Sequence, residues 1–445
     1  MNFPQACFIR VEVKKRELIS RIDLAIEMVK RGVPVFLGEC YNSEELLSLG
    51  IDKGYFFGKC AQPDTLKKFK PLLERGWTFG ALDEEGLLPD SLETFASQRF
   101  SFKSAETYKD IFFFGDEQKE TFEKIFGIRD SFIVSGNPRT DMWQTNCYGL
   151  HDQASKEIKK KYGDFVLIPI NFDPYTTNSI QPSSKNNFQL ASDALAERSK
   201  FLFDSFCKLA ERLAHETNIK VIMRPHPSDD LQTVKALMIK HGVKSKLVHC
   251  ISSNEVFPWI SAAKTIFHNC CTTSIEAGFY GTTVVTYAPS NTSLLEESEI
   301  NNLFPVAKTF EDAFTFLTQA PEKDSSGFRE RVANWKRLNL ENSGNISSFI
   351  AKKIIQRNKF ETLQNKNKSH KKQIDFKRIK YELMSGITSL IGRRQRQVYL
   401  DKFPRTNIEE VKNIVNHICK YRGYSERPEI NIINSRLFSL FPKSV

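Results

Sequence analysis

The sequence lacks any run of 18 apolar residues, the length that a helix needs to cross a bilayer, so no membrane-spanning helix is expected. Its start, MNFPQACFIRVEVKKREL, reaches charged residues too early for the apolar core of a signal peptide. The nine cysteines are scattered, and they form no C-x-x-C pair, which argues against a disulfide framework or a structural zinc site. These absences predict a cytoplasmic protein with reduced thiols.

Three signatures of nucleotide and metal binding are also missing. The sequence holds no Gly-x-Gly-x-x-Gly fingerprint, no Walker A loop, and no Asp-x-Asp pair of the kind that holds a metal–nucleotide complex. His268, Cys270 and Cys271 match no common zinc spacing and are predicted to be buried small residues. Any nucleotide chemistry is therefore expected to need no metal and no resident cofactor, with cationic side chains acting on the phosphate.

The net charge of +11 is unevenly distributed along the 445 residues. Residues 351–445 hold 22 Lys and Arg against 8 Asp and Glu, whereas residues 1–350 hold 42 against 45. A basic tail therefore follows a nearly neutral body. Because aromatic and basic residues do not interleave as they do in single-strand binders, no nucleic-acid partner is expected. The tail instead suits an anionic membrane surface, beside the apolar patch Leu383–Ile391.

Short apolar runs alternate with longer helical patterns, a rhythm typical of parallel sheets covered by helices on both faces. The rhythm starts at Ala6–Val13 and restarts at Asp164–Asn171, which reads as a buried strand. The predicted fold class is α/β, with two Rossmann-like domains at 1–150 and 151–350 and a basic helical tail at 351–445. Folds of this kind bind ligands at the carboxyl ends of strands, which predicts a cleft between the domains.

The first candidate site follows a strand of the second domain. The strand ends in an Arg-Pro-His-Pro run that holds Arg224, His226 and Pro227, and Ser228 or Asp229 can cap the helix that follows. Cationic side chains beside a helix N-terminus form an anion site, so a phosphate contact is predicted here. A proline-rich turn with a solvated histidine is the structural alternative.

The second candidate site lies in the segment Phe267–Ala277, where a strand runs into Thr272, Thr273 and Ser274 before a helix. Hydroxyl groups and free N–H groups at a helix start suit a phosphate, and Glu276 could accept hydrogen bonds from ribose hydroxyls. The alternative is a capping box formed by Thr273 and Glu276, which needs no ligand.

The third candidate site is an acidic loop in the first domain, where Asp83, Glu84, Glu85 and Gly86 follow the strand Thr78–Leu82. Crowded carboxylates repel one another, so the pKa of one of them should be raised, and that group could serve as a general acid or base. The structural alternative is a solvated acidic loop.

Four further residues are candidates for the predicted cleft. Asn137, Arg139 and Asp141 follow the last strand of the first domain, and Asn171 ends the first strand of the second. A structural turn explains the first three equally well.

The sequence resembles the bacterial surface carbohydrate biosynthesis proteins, which are related to capsule and lipopolysaccharide glycosyltransferases. The resemblance implies a GT-B fold, with two Rossmann-like domains and an active site between them. It covers most of 1–350 and returns at Lys402–Ile418. It is carried by the segments Val11–Glu17, Ala81–Gly86, Gly136–Asp141, Leu167–Phe172, Arg224–Pro227 and His268–Ala277.

A second resemblance is to bacterial sialyltransferases and Kdo transferases. These carry an acidic-acidic-Gly motif, a His-Pro motif and a Ser/Thr cluster, in the order in which the matching motifs follow one another in this sequence. It implies that Glu84, or else Asp83 or Glu85, is the base for an acceptor hydroxyl. It also implies that His226 stabilises the leaving phosphate of a CMP-sugar. A nucleotide sugar and a glycan or lipid-linked glycan are then the expected substrates.

The sequence therefore predicts a metal-independent glycosyltransferase, with a peripheral place on the inner face of the cytoplasmic membrane. A CDP-polyol phosphotransferase or a UDP-sugar 2-epimerase remains an alternative on the same fold. A membrane-associated scaffold without catalysis is the alternative of another class.

Overall fold

A computed structural model of the chain divides into two compact units, residues 1–142 together with 335–445, and residues 143–334. The residues that it describes are 5–40, 43–49, 51–87, 91–172, 175–176, 187–226, 229–252, 255–289, 299–319, 323–360 and 402–442, without the side chains of 187–194.

The first unit is built on an eight-stranded sheet in the order β13-β14-β2-β1-β3-β4-β5-β6. Strands β1 to β6 are parallel, and their order reverses direction between β1 and β3, the kind of place where open α/β sheets bind ligands. The strands are β1 (Ala6–Arg10), β2 (Val35–Gly38), β3 (Gly54–Gly58), β4 (Thr78–Leu82), β5 (Asp110–Phe113), β6 (Phe132–Val134), β13 (Glu429–Asn434) and β14 (Leu437–Phe441).

Helices cover this sheet, and aromatic rings fill the space beneath them. Phe56 stacks on Phe79 with ring centroids 5.1 Å apart, inside a core in which phenylalanine predominates. The helices of the first unit are α1 (Lys14–Lys30), α2 (Ser43–Ser48), α3 (Pro63–Lys68), α4 (Lys70–Glu74), α5 (Leu92–Arg99), α6 (Phe102–Thr107), α7 (Asp116–Phe126), α8 (Pro138–Trp143, which ends at the junction), α16 (Ile346–Asn358) and α17 (Ile408–Tyr421).

The predicted separate helical tail is wrong in the part of the tail that the structure describes. Helix α17 forms where the amphipathic pattern of Asn407–Tyr421 predicts a helix. The strands β13 and β14 follow it as a hairpin, and β14 pairs antiparallel with β2. Helices α16 and α17 both pack on α1. The Arg422 guanidinium, just after α17, donates to both carboxylate oxygens of Asp23 on α1 at 2.7 Å. The apolar patch Leu383–Ile391 lies outside the described residues.

The second unit is built on a six-stranded parallel sheet in the order β12-β11-β10-β7-β8-β9. This is the Rossmann strand order, and its direction reverses between β7 and β10. The strands are β7 (Phe165–Pro169), β8 (Lys220–Arg224), β9 (Val248–Cys250), β10 (Thr265–His268), β11 (Thr283–Tyr287) and β12 (Val306–Ala307).

Seven helices and one 3₁₀ turn accompany this sheet in the described residues. The longest of them, α10, packs Phe203, Phe206 and Leu213 into the core on one face of the sheet, at the helical spacing that predicts an amphipathic helix. The helices are α9 (Asp152–Tyr162), α10 (Asn187–Thr217), α11 (Leu231–Lys240), α12 (Phe257–Ala262), α13 (Thr273–Tyr280), α14 (Phe310–Thr318) and α15 (Ser326–Ala333), with the 3₁₀ turn at Asn301–Leu303.

The units differ from the predicted domains at their boundaries. The second unit ends at 334 rather than 350, because the segment that follows binds the first unit. Asp141 explains the attachment: its carboxylate accepts hydrogen bonds from the backbone N–H groups of Gly344 at 2.6 Å and Ile346 at 2.9 Å, and so caps the start of α16.

Candidate functional site

Glu84 is held by a buried ion pair at the carboxyl end of β4. Its carboxylate lies 2.9 Å from the Arg21 guanidinium of α1 and 3.8 Å from that of Arg139, and it accepts a hydrogen bond from Asn137 at 3.1 Å. Arg21 and Glu84 are both almost fully buried. Because both oxygens of this carboxylate already face donors of the chain, this geometry does not favour Glu84 as the group that takes a proton.

Asp83, beside it, has a different environment. Its Oδ1 accepts a hydrogen bond from the Glu85 backbone N–H at 3.0 Å, whereas its buried Oδ2 has no hydrogen-bond partner among the described residues. Burial raises the pKa of Asp83 to about 7, and the charge of Glu84 adds a smaller contribution against the opposing effect of Arg99. The sequence predicted a raised pKa from carboxylate repulsion; desolvation is the larger cause.

Glu85 is the most accessible of the three carboxylates. It forms ion pairs with the Arg99 guanidinium, with Lys59 Nζ at 3.0 Å and with Arg16 at 3.6 Å. The acidic loop therefore contains three carboxylates with three roles. One is held in a buried ion pair, one is desolvated and has an oxygen without a hydrogen bond in the described part of the chain, and one is surrounded by cations.

Asp141, a predicted cleft residue, has a structural place instead, as the cap of α16. Asn137 and Arg139 are drawn into the surroundings of Glu84, and the Asn137 side chain also accepts from the Arg139 backbone N–H at 2.9 Å. The turn that follows β6 thus supports the acidic loop.

The residues after β8 form a compact turn in the second unit. Arg224 is buried at the strand end, where desolvation lowers its pKa to about 10, and its guanidinium carbon lies 5.9 Å from the Trp259 ring centroid. His226 is exposed, and its backbone N–H donates to Asp229 at 2.9 Å. Pro227 lies outside the described residues.

The helix after this turn is capped by a residue that the sequence did not nominate. Asp230, rather than Asp229, accepts from the Thr233 backbone N–H at 2.7 Å at the start of α11, and Ser228 lies outside the described residues. Since the cap already satisfies one of the N–H groups, the start of α11 is less suited to a phosphate than predicted.

The loop after β10 meets the loop after β7 at the point where the strand order reverses. Asn171 Nδ2 lies 3.4 Å from the Cys270 carbonyl oxygen, and the backbone of Cys270 adopts a positive φ of 52°. The Arg198 guanidinium of α10 reaches Asn269 Oδ1 at 3.4 Å and Cys270 Sγ at 3.6 Å. Asn171 and the β10 loop thus lie together at the switch point of the second sheet.

The hydroxyl cluster at the start of α13 divides into two kinds of group. Ser274 is buried and donates to the Cys271 carbonyl oxygen at 2.6 Å, so it has a structural partner. Thr272 is exposed and Thr273 is half-buried, and the N-cap Thr272 makes no side-chain cap hydrogen bond in the described part of the chain. Glu276 is half-buried in the first turn, and Thr273 lies inside the helix, after the N-cap position that the predicted capping box assigns to it.

His268, at the end of β10, is completely buried and neutral. Its Nε2 lies 3.2 Å from the Thr286 hydroxyl, and desolvation lowers its pKa to about 3. Within the described residues, no group of three or more His, Cys, Asp or Glu side chains could hold a metal ion. Likewise, no described helix has the length and apolar character to cross a membrane.

Besides Arg16, which falls only within the segment Val11–Glu17, four cations with a place in these sites were not singled out from the sequence. The sequence could have indicated two of them: Lys59, because it directly follows β3, and Arg21, because it interrupts the apolar face of α1. Arg99 and Arg198 lie on helices that the sequence does not connect with either loop. Only the packing of those helices brings them to the strand ends.

No protein-family model matches the chain, and no curated protein matches it. Solved structures similar to it include the UDP-GlcNAc 2-epimerase from Methanocaldococcus jannaschii, at 10% identity and a TM-score of 0.50, over 79% of this chain and 99% of that one. They also include the wall teichoic acid polymerase TagF, at 12% identity and a TM-score of 0.51, over 80% of this chain and 90% of that one.

At these identities the likeness establishes the fold. The predicted α/β class of the GT-B type, with two units on parallel sheets, is confirmed. Membership of the surface-carbohydrate group stays a prediction, as does the resemblance to sialyl and Kdo transferases.

Proposed function

We propose that the protein is a glycosyltransferase of surface polysaccharide or glycolipid biosynthesis in which Asp83 is the general base. The observation that carries the proposal is the buried Asp83 Oδ2 at a strand end, which has no hydrogen-bond partner among the described residues, on a carboxyl with a pKa of about 7. A base of this strength is half ionised near neutral pH, where it can accept a proton efficiently.

In the proposed reaction Asp83 takes the proton of an acceptor hydroxyl. The hydroxyl oxygen forms the new glycosidic bond to the sugar, and the bond between the sugar and the donor phosphate breaks. The nucleotide leaves with that phosphate and its charge. Arg224, His226, Thr272 and Thr273 of the second unit bind and stabilise the phosphate, so that no metal is required.

The donor is proposed to be a nucleotide sugar, with a CMP-linked keto-sugar suggested by the motif resemblance. The acceptor is a glycan or a lipid-linked glycan, and the basic segment 351–445 holds the enzyme at an anionic membrane surface in the cytoplasm. Two solved structures of this fold point to other chemistries, since one is a UDP-GlcNAc 2-epimerase and the other a wall teichoic acid polymerase. A UDP-sugar 2-epimerase and a CDP-polyol phosphotransferase are therefore the rival functions.

The base is tested by Asp83→Asn, which keeps the side-chain shape and the Oδ1 acceptor. Turnover should fall about 10²- to 10⁴-fold, the usual contribution of a general base. The exposed Asp64 of α3 provides a matched control, and Asp64→Asn should leave turnover unchanged. Turnover by Asp83→Asn at the level of the unmodified protein contradicts the proposal.

The reaction class is tested by the product. A thermal-shift panel of CMP, CDP, UDP, GDP and their sugars, with Mg²⁺ and with chelator, first identifies the donor. A new glycosidic bond supports the transferase, a phosphodiester supports the phosphotransferase, and an isomerised nucleotide sugar without acceptor supports the epimerase. Binding of none of these compounds would favour the scaffold.

A further inference from the structure

Three cations of the first unit converge on one carboxylate, that of Glu85. The Arg99 guanidinium contacts one carboxylate oxygen, and Lys59 and Arg16 contact the other at 3.0 Å and 3.6 Å. Lys59 follows β3, Arg16 lies in the first turn of α1 and Arg99 is the last residue of α5. Three separate elements thus direct a positive charge at the same point, which no local sequence preference requires.

The exposure of the four side chains is the reverse of an ordinary surface ion pair. Lys59 is 6% exposed, Arg99 20% and Arg16 29%, whereas the single carboxylate is 39% exposed. The cations therefore lie beneath the anion. Because a desolvated cation strongly requires an opposite charge, an anion must occupy this place. Glu85 is the carboxylate that contacts all three cations, whereas Glu17, Glu12 and Asp83 each contact one of them.

The cations have more hydrogen-bonding capacity than Glu85 uses. Arg16 Nε is buried and has no acceptor among the residues described, although its guanidinium also contacts Glu17 at 3.2 Å. Lys59 also lies 3.7 Å from Glu12. A carboxylate presents two oxygens, whereas a phosphate presents three and carries more charge, so a phosphate would satisfy these donors more fully.

We propose that Arg16, Lys59 and Arg99 form a subsite for the phosphate group of the acceptor, and that the Glu85 carboxylate occupies it until that phosphate displaces it. That the phosphate belongs to the acceptor rests on the proposed transferase function, whereas the phosphate subsite itself does not. Glu85 lies in the turn 84–87, next to Gly86, and a side chain in such a turn can move aside without disturbing a helix or strand.

The position of Arg99 restricts the acceptor further. One of its guanidinium nitrogens contacts Glu85, and the other lies 4.0 Å from Asp83 Oδ2. The phosphate and the reacting hydroxyl would therefore lie on either side of one guanidinium group. This proximity points to a phosphorylated sugar or polyol whose reacting hydroxyl lies within about one sugar or polyol unit of its phosphate.

The test measures binding of inorganic phosphate by calorimetry to the full chain, without donor or acceptor. Glu85→Gln removes the resident charge and should tighten phosphate binding about tenfold, the gain expected from one charge-assisted interaction. Glu85→Ala should give the same direction of change. Glu74 of α4 is exposed and belongs to the same unit, so Glu74→Gln makes the same change of net charge and should bind phosphate like the unmodified protein.

The double variant Glu85→Gln with Arg99→Gln should lose the gain, which separates this subsite from any phosphate bound by the second unit. If either Glu85 variant is unstable, its melting temperature should rise with phosphate more steeply than that of Glu74→Gln. Equal phosphate binding by Glu85→Gln, Glu85→Ala and Glu74→Gln overturns the proposal.

Two further arms identify the ligand class. Glycerol 3-phosphate should compete with inorganic phosphate, whereas acetate at the same ionic strength should not; equal competition by acetate overturns the assignment to phosphate. Adding Asp83→Asn to Glu85→Gln should leave the phosphate gain intact. A failure of Asp83 as the base is thus distinguishable from a failure of the subsite.

Discussion

The strand ends of the two units differ in the kind of polar group that they hold. In the first unit, buried carboxylates and cations are interlocked around β1, β3 and β4, and Arg21 with Glu84 is the innermost pair. In the second unit, the loop after β10 is built mainly from neutral groups, with the uncharged His268 behind them. The first unit pairs its buried charges with one another, whereas the proposed function leaves the charge at the second unit's loop to the ligand.

The difference teaches which unit suits which task. A proton acceptor needs a pKa near neutral, and a network of fixed charges around a desolvated carboxyl, as at Asp83, can set it. A polyanionic nucleotide brings its own charge and needs donors instead, such as backbone N–H groups at a helix start.

The largest expected effect comes from removing one charge of the buried pair of Arg21 and Glu84. Arg21→Met leaves Glu84 buried without its 2.9 Å partner, and we expect it to lower the free energy of unfolding by about 3–5 kcal/mol. Urea unfolding would measure this loss. The exposed pair of Lys70 and Glu74 is the control, and Lys70→Met should cost less than about 0.5 kcal/mol.

A double variant shows whether the loss is electrostatic. Arg21→Met combined with Glu84→Gln removes both charges and keeps an acceptor for Asn137, so it should be more stable than Arg21→Met alone. If it is less stable, packing of the arginine rather than its charge maintains this region.

A pH comparison sharpens the contrast, because Asp83 and His268 should affect stability in opposite directions. The folded pKa of Asp83 is about 7, above its unfolded value, so ionisation of Asp83 lowers stability as the pH rises from 5 to 8. The folded pKa of His268 is about 3, below its unfolded value, so stability is lost as the pH falls from 8 to 5. Each contribution is on the order of 2 kcal/mol across this window.

Urea midpoints at pH 5 and pH 8 check both signs. Asp83→Asn should gain more stability relative to the unmodified protein at pH 8 than at pH 5. His268→Gln should lose less stability on acidification than the unmodified protein. The comparison fails if the two variants change the pH dependence in the same direction.

The smallest expected effect separates two helix starts within the second unit. Asp230→Ala removes the cap of α11 and should cost about 1 kcal/mol, whereas Thr272→Ala at α13 removes no observed cap bond and should cost less than about 0.5 kcal/mol. Thermal unfolding measures both. Equal costs would mean that α13 is capped by its own threonine, which would weaken its case as the phosphate-binding helix start.

The alternation of strands and helices was predictable because each element carries its own periodicity. The helical spacing of Leu18, Ile22 and Val29 predicts a helix at Lys15–Arg31, and α1 forms at Lys14–Lys30. The strand at the restart of the rhythm forms within Asp164–Asn171. The hairpin of β13 and β14 was not predicted, since it is stabilised by pairing with β2, which is distant in sequence. The same long-range packing explains the misplaced boundary at 350.

The candidate sites also have features that could be predicted from the sequence and features that could not. That acidic residues follow β4, and that hydroxyl residues start α13, can be read from the sequence. Which carboxylate is desolvated cannot, because Arg21 and Arg99 arrive from helices that precede and follow the loop. The roles of Asp83, Glu84 and Glu85 therefore emerge only from tertiary packing.

The pairing of β14 with β2 has a consequence for the synthesis of the protein on the ribosome. Residues 143–334 emerge with every strand of their sheet, so the second unit can close while translation continues. The first unit begins earlier but must wait for β13 and β14, and until they arrive β2 presents an open edge to other nascent chains. The part of the chain that is made first is thus the part whose folding is completed last.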